Sequence, residues 1–351
     1  MRLLALAGDG IGPEIMAATL SVLEAIRPQC AQDIEVCEAQ IGFAALDADG
    51  STIPDRVVDA ARAADGLLLG PVSHNAYPPR EAGGLNPSGA LRRALDLYAN
   101  LRPARVWPGI DAPAGGAMDL IVVRENLEGF YSDRNMHVGS GEFMPVPGVA
   151  LSMRRITEAA SRRIAEKAFA IAENRPRKRV TAIHKANVLR VSDGLFLETV
   201  RSVAATHPGV EYDEVLVDAA AAHLVRAPDR FDVMVTTNMF GDILSDLASE
   251  LSGGLGLAGS LNAGPNHAAA QAQHGSAPDI AGQDRANPTS LILSLAMLLR
   301  HLGEERAADA IDTAVGDCLK APDTRTRDLG GRLGTAAFSS LLASRIRSVC
   351  P

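Results

Sequence analysis

The chain has 351 residues, 47% of them apolar and 22% charged, which is enough to bury a core of ordinary density and more than one average domain needs, so two domains are expected. A formal net charge of −8 excludes a whole-protein field that attracts nucleic acid, so an anionic ligand has to be held by a local cluster of cations. No segment approaches the roughly 20 unbroken apolar residues of a membrane span, and residues 1–7 lack the features of a secretory signal. Cys30, Cys37, Cys318 and Cys350 have no metal-ligand spacing, and the expected setting is reduced and cytoplasmic, with no membrane or nucleic-acid partner.

Residues 1–7 read as a strand that runs into Gly8-Asp9-Gly10-Ile11-Gly12-Pro13-Glu14. This is not the dinucleotide fingerprint, whose third glycine falls three residues after the second, because that position is Pro13. A turn that opens a helix with proline near its first position is the simpler geometry, and the loop can still touch a ligand. Residues 89–100 (GALRRALDLYAN) have a helical pattern carrying Arg92, while Arg102 precedes Pro103 and is biased to extended backbone. Arg124 sits just past the strand LIVV at 120–123. Three guanidinium groups from three elements can converge on several carboxylates; taken singly, each is equally a surface or core-rim arginine. Tyr131 is a candidate proton donor, or a buried tyrosine with one hydrogen bond.

Residues 133–152 (DRNMHVGSGEFMPVPGVALS) place Gly and Pro between short extended pieces, the pattern of a projecting hairpin arm and equally of a surface loop. The amphipathic stretch 158–174 and the strand-like runs at 179–185, 214–218 and 231–238 continue an α/β alternation with no repeat of 20 to 50 residues. Lys185 ends one run. With four lysines against thirty arginines, a lysine kept at a strand end hints at an ammonium that can lose its proton, which guanidinium cannot do; Lys320 reads as a surface residue. Asp218 ends the run EVLVD. Asp242 and Asp246 stand at i and i+4 in a helical pattern that begins at Gly241, on one face, where two carboxylates repel unless a hard divalent cation lies beside them. The alternative is a helix N-cap at Asp242 and a solvated first-turn acid at Asp246. Arg124, Lys185, Asp218 and Asp242 all lie at or just past predicted carboxyl ends of strands, where open α/β sheets place ligand sites. Glycine-rich residues 253–265 return the chain toward its first domain.

Six segments resemble, in order and over nearly the whole chain, the metal-dependent β-decarboxylating dehydrogenases: isocitrate, isopropylmalate, homoisocitrate and tartrate dehydrogenases. They are GDGIGPE, LDLYANLRP, VVRENLEGFYS, HKANVLR, NMFGDILSDLASELSGGLGLA and HGSAPDIAGQDRANP. The resemblance implies a non-Rossmann fold of two α/β domains with a projecting β arm. Residues 1–98 with 253–351 would form a discontinuous cofactor-binding domain, and residues 99–252 a smaller metal, substrate and dimerisation domain.

By the same resemblance, Arg92, Arg102 and Arg124 would grip substrate carboxylates, with Asn86 and Ser88 reading the group at C3. Asp242 and Asp246, with Asp218 from the other subunit of a homodimer, would hold Mg²⁺ or Mn²⁺. Lys185, reaching across the dimer, would serve deprotonation of the 2-hydroxyl, and Tyr131 would assist protonation after carbon dioxide leaves. Ile11, His274, Gly275, Ser276, Ala277, Asp279, Ile280 and Asn287 would line the cofactor site. Asp279 favours NAD, since a carboxylate there accepts from both ribose hydroxyls and repels a 2′-phosphate, although Arg285 nearby leaves NADP open.

The small polar residues Asn86, Ser88 and Gly89 suit a carboxylate or hydroxyl better than a branched alkyl group, which favours an isocitrate-like acid over isopropylmalate. Two departures stand out. The family's Phe-Glu-Pro-Val appears here as Ala270-Gln271-Ala272-Gln273, so an acidic group is missing, and Ser73-His74-Asn75-Ala76-Tyr77 matches no assignable pattern. Of two further readings, a non-catalytic regulatory subunit of a heteromeric isocitrate dehydrogenase is opposed by the presence of Lys185, Tyr131 and the three aspartates. A metal and nucleotide binder without redox chemistry predicts cofactor binding and no turnover.

Overall fold

The computed structural model describes residues 1–116, 118–131 and 135–349. Asp133 and Arg134, where the predicted arm begins, and Cys350 lie outside the described residues. The chain separates into two compact units: Met1–Leu97, Trp107–Asp111 and Gly253–Pro351 form unit 1, and Tyr98–Val106 with Ala112–Ser252 form unit 2. Residues 107–111, inside the central stretch by sequence, belong to unit 1, where the Trp107 ring packs on Gly316.

Unit 1 contains strands β1 (Arg2–Leu6), β2 (Glu35–Ala39), β3 (Gly66–Leu69), β11 (Leu261–Ala263) and β12 (Ala268–Gln271) in the order β2-β1-β3-β12-β11. All neighbours are parallel except β11 and β12. Leu3 to Leu6 and Leu67 to Leu69 are buried along their whole length, as expected of parallel strands covered on both faces. The cover comes from helices α1 (Gly12–Ile26), α2 (Phe43–Asp49), α3 (Asp55–Ala63), α4 (Pro87–Ala94), α9 (Thr289–His301), α10 (Glu305–Leu319) and α11 (Thr335–Val349). In α1 the buried Ile15, Thr19, Val22, Leu23 and Ile26 recur at helical spacing, and α1 packs against α11. Pro13 occupies the first turn of α1, where its missing N–H costs nothing.

Unit 2 holds β4 (Ala99–Arg105), β5 (Asp119–Glu125), β8 (Arg179–His184), β9 (Glu211–Leu216) and β10 (Val233–Thr236), ordered β4-β5-β10-β8-β9, with β4 antiparallel to β5 and the other pairs parallel. Helices α5 (Glu158–Glu173), α6 (Ser192–Ala204), α7 (Val217–Arg226) and α8 (Asn238–Leu251) pack around it. Its core joins Leu120, Val122, Ile183 and Met234 of the strands to Leu224 of α7 and Leu244, Ala248 and Leu251 of α8. Each buried side chain of this size stabilises by roughly 1.5–3 kcal/mol. Strands β6 (Glu142–Val146) and β7 (Val149–Ser152) form an antiparallel hairpin in which every residue is exposed, so the arm pattern resolves as a hairpin and not as an irregular loop.

Candidate active site

Unit 2 gathers into one cluster five of the residues singled out by sequence, Arg102, Arg124, Tyr131, Asp242 and Asp246. Arg124, at the last turn of the pleat in β5, is 2% exposed. Its Nη1 is paired with Asp242 Oδ1, its Nη2 donates to Tyr131 Oη at 2.6 Å, and its Nε and Nη2 both donate to Asn238 Oδ1 at 2.9 and 2.7 Å. Tyr131 Oη donates in turn to Asp242 Oδ2 at 3.1 Å. Arg102, on β4, is oriented by Nε donation to Asn100 Oδ1 at 2.6 Å, and its Nη1 reaches Ser245 Oγ at 2.7 Å, Asp246 Oδ1 at 3.0 Å and Asp242 Oδ1 at 3.3 Å. Burial, and next the neighbouring Arg124 charge, lower Arg102 to about 10, while Asp242 and Asp246 pull the other way; it stays protonated at neutral pH.

Helix α8 starts at Asn238, three residues before the position expected from sequence. Asp242 is therefore inside the helix, and an N-cap role is ruled out; the cap position is Thr237. The misleading residue is Gly241. A Cβ there would lie 2.6 Å from Arg124 Cγ and 2.7 Å from Arg124 Cβ, so glycine is retained in mid-helix to let the arginine pass. Asn238, which sequence did not single out, both anchors Arg124 and donates through Nδ2 to Glu128 O at 2.9 Å.

Lys185 and Asp218 pair with each other, Nζ to Oδ1 at 2.6 Å, and that hydrogen bond holds the exposed Asp218 carboxyl below its usual value. Lys185 directly follows β8, as expected, whereas Asp218 is the second residue of α7, not a strand end. Among the described residues no three His, Cys, Asp or Glu side chains come together as metal ligands. The donor chemistry still fits a hard cation at Asp242 and Asp246: both carboxylates face one point, and a positively charged nitrogen of Arg102 contacts both of them there.

In unit 1, a cavity of about 260 Å³ is lined by Ile11, His274, Gly275, Ala277, Ile280 and Asn287 of the predicted cofactor set, and also by Gly256, Arg285 and Asp328. Burial lowers the His274 pKa, which favours the neutral ring; Nδ1 meets Gly275 O at 3.0 Å and must donate, which leaves the buried Nε2 as an acceptor with no partner among the described residues. A cavity-lining acceptor of this kind fits a ligand amine such as that of adenine. Asn287 donates to Asp328 Oδ2 at 2.9 Å and accepts from Thr289 N at 3.0 Å, so its amide also braces the wall. Asp279 is exposed on the turn Pro278–Ile280. Ser276 is buried: its carbonyl accepts from Ile11 N at 2.8 Å and its hydroxyl meets Ser73 Oγ at 2.8 Å. Gly10, with φ +59°, allows that approach.

Asp9 explains the unassigned segment. Its carboxylate accepts from Phe43 N at 2.9 Å, Ser73 N at 2.8 Å and the Tyr77 hydroxyl, tying residues 73–77 to the first loop. Of the predicted substrate contacts in this unit, Asn86 is the N-cap of α4, accepting from Gly89 N at 3.2 Å. Ser88 Oγ, Arg92 Nη2 and Asn262 Nδ2 all donate to Gln271 Oε1, at 3.1, 3.2 and 3.2 Å. The residue that departs from the expected glutamate thus organises Ser88 and Arg92.

The chain belongs to the isocitrate/isopropylmalate dehydrogenase family, whose profile matches residues 2–342, and it is an oxidatively decarboxylating dehydrogenase by class. It is 43% identical to the isocitrate/homoisocitrate dehydrogenase of Thermus thermophilus over 99% of each chain. It is 41% identical to the 3-isopropylmalate dehydrogenase of Archaeoglobus fulgidus over 98% of each. The crystal structure of isocitrate dehydrogenase from Methylococcus capsulatus superposes with a TM-score of 0.89 at 40% identity, covering 99% of both chains. Among the described residues no helix is long and apolar enough to cross a membrane.

Proposed function

We propose that this enzyme uses NAD and a divalent cation, Mg²⁺ or Mn²⁺, to oxidise and decarboxylate a small 2-hydroxy polycarboxylic acid of the isocitrate type. The observation that carries the reading is Arg124: one buried guanidinium contacts Asp242 and Tyr131, so groups suited to a cation, an anion and a proton share one point. When bound, the cation supplies Lewis-acid polarisation of the substrate oxygen, and the nicotinamide accepts the hydride.

The chain's own residues do the rest. Arg124 and Arg102 bind substrate carboxylate, Arg102 leaving Asp246 as it does so, and Ser88 and Arg92 remain proposed substrate contacts. Asp242 and Asp246 supply hard oxygen donors, with the partner's Asp218 completing the set. Lys185 Nζ, reaching across the dimer, takes the hydroxyl proton, which an arginine there could not do. Tyr131 Oη delivers a proton after decarboxylation. Exposed Met239 and Ile243 on α8, Val225 on α7 and Phe143, Met144 and Val146 on the hairpin suit a face covered by a second copy, hence a homodimer.

His274, with its open acceptor, and the cavity beside it would hold the adenosine, and Asp279 favours NAD. The test is a panel of isocitrate, homoisocitrate, 3-isopropylmalate, tartrate and malate, each with NAD and with NADP. Fastest turnover of isocitrate or homoisocitrate with NAD supports the reading; fastest turnover of isopropylmalate contradicts the substrate assignment.

A further inference from the structure

We infer that Arg154, acting with Asp193, is a positioning residue that locks the segment carrying Lys185 to the segments carrying Tyr131 and Asp242. The inference rests on the role proposed above for Lys185. Arg154 lies two residues past β7, at the foot of the hairpin, and its side chain is 7% exposed. The guanidinium carbon stands 5.7 Å from the Phe130 ring centre and 5.2 Å from that of Phe240, and these residues precede Tyr131 by one position and Asp242 by two. Nη2 donates to Thr237 Oγ1 at 2.8 Å. Thr237 is the cap residue of α8, yet its hydroxyl makes no cap bond, so the helix that carries Asp242 gives up a side-chain cap and is held by Arg154 in its place.

The other end of the guanidinium meets Asp193. Nη1 pairs with Asp193 Oδ1 and donates to Ser192 Oγ at 3.2 Å. Asp193 is fully buried, and its second oxygen accepts the backbone N–H of Lys185 at 2.5 Å. The catalytic lysine's main chain is therefore fixed by a carboxylate whose own position is set by Arg154. A buried ion pair is weak as a source of stability, since a well-packed apolar pair often does as well. Its value here is directional. A planar guanidinium stands over two rings and donates through two separate nitrogens, a geometry that a lysine ammonium does not reproduce.

The test uses Arg154→Met, Arg154→Lys and Asp193→Asn in the full chain. Two quantities are read: hydrogen exchange at the Lys185 amide, and kcat and KM with isocitrate, NAD and Mn²⁺. Expected are exchange at Lys185 faster by about tenfold or more, with strands of unit 1 unaltered, and kcat lower by about 10²-fold, the cost of a small misplacement. KM for NAD should stay within about threefold, and added guanidinium ion should recover part of the kcat of Arg154→Met. Unaltered exchange at Lys185, or kcat and NAD affinity falling together, overturns the inference. If Arg154→Met does not fold, the nearly isosteric Asp193→Asn decides by the same two readings. A fully active Lys185→Met would instead overturn the proposed function, and the exchange measurement would still decide the position of Lys185.

Discussion

Arg102 Nη1 lies 3.0 Å from Asp246 Oδ1, so a buried cation already holds the carboxylate that the proposed metal needs. In the proposed reading, metal binding would exchange one cation for another at the Asp246 carboxylate. Asp246→Asn removes one charged donor and should weaken Mn²⁺ binding by about tenfold or more, with NAD binding unchanged. Calorimetric titration of the purified protein with Mn²⁺ alone reads this directly, and equal affinities would remove Asp246 from the ligand set.

The general-base role proposed for Lys185 is one that an arginine could not fill, because guanidinium does not give up its proton at neutral pH. Lys185→Met should lower kcat by about 10²- to 10⁴-fold, the range of a general base, and leave NAD affinity within a few fold. Lys185→Arg should be no better. An unimpaired arginine variant would show that charge alone is needed there.

In the proposed reading Asp279 would discriminate by repelling a 2′-phosphate, and its exposure on the turn Pro278–Ile280 limits how strongly. Asp279→Asn keeps the acceptor and removes the charge, so kcat/KM with NADP should rise relative to NAD by about tenfold. A ratio equal to that of the wild type would transfer cofactor choice to another residue, with Arg285 the first to examine.

Glu125, the last residue of β5, is pushed up to about 7, first by burial and against the hydrogen bonds it accepts from Leu127 N and Glu128 N. Between its ordinary value near 4.5 and about 7 the folded chain holds a proton that the unfolded chain has lost. This contribution is thus fully present below 4.5 and is lost as pH rises through about 7, so stability falls with pH over that window. Urea denaturation of wild type and Glu125→Gln at pH 4.5 and pH 8 should show a gap that changes by about 2–3 kcal/mol, at about 1.4 kcal/mol per pH unit. Parallel stability curves would contradict it.

The α/β class, the extended position of Arg102 and the proline-led start of α1 were legible because each rests on local pattern, whereas Arg124, read as just past its strand, lies inside β5. The start of α8 was misplaced by three residues for a tertiary reason, because Gly241 looked like a helix start but serves the passage of Arg124; Asp218 was read as a strand end and is the second residue of α7. The pairings of Asp9 with Ser73 and Tyr77, of Gln271 with Ser88 and Arg92, and of Arg154 with Asp193 were invisible, since each joins positions far apart in the chain and no local pattern announces the contact. The open acceptor of His274 could be found only by counting the partners of both ring nitrogens in the folded chain.

The most direct test of the central claim mixes the purified single chain with isocitrate, NAD and Mn²⁺, following reduced nicotinamide and released carbon dioxide together before and after addition of chelator. Both products should form in equal amounts, chelator should stop both, and Mn²⁺ should restore both. Undiminished turnover in chelator, or nicotinamide reduction without carbon dioxide, would contradict that claim.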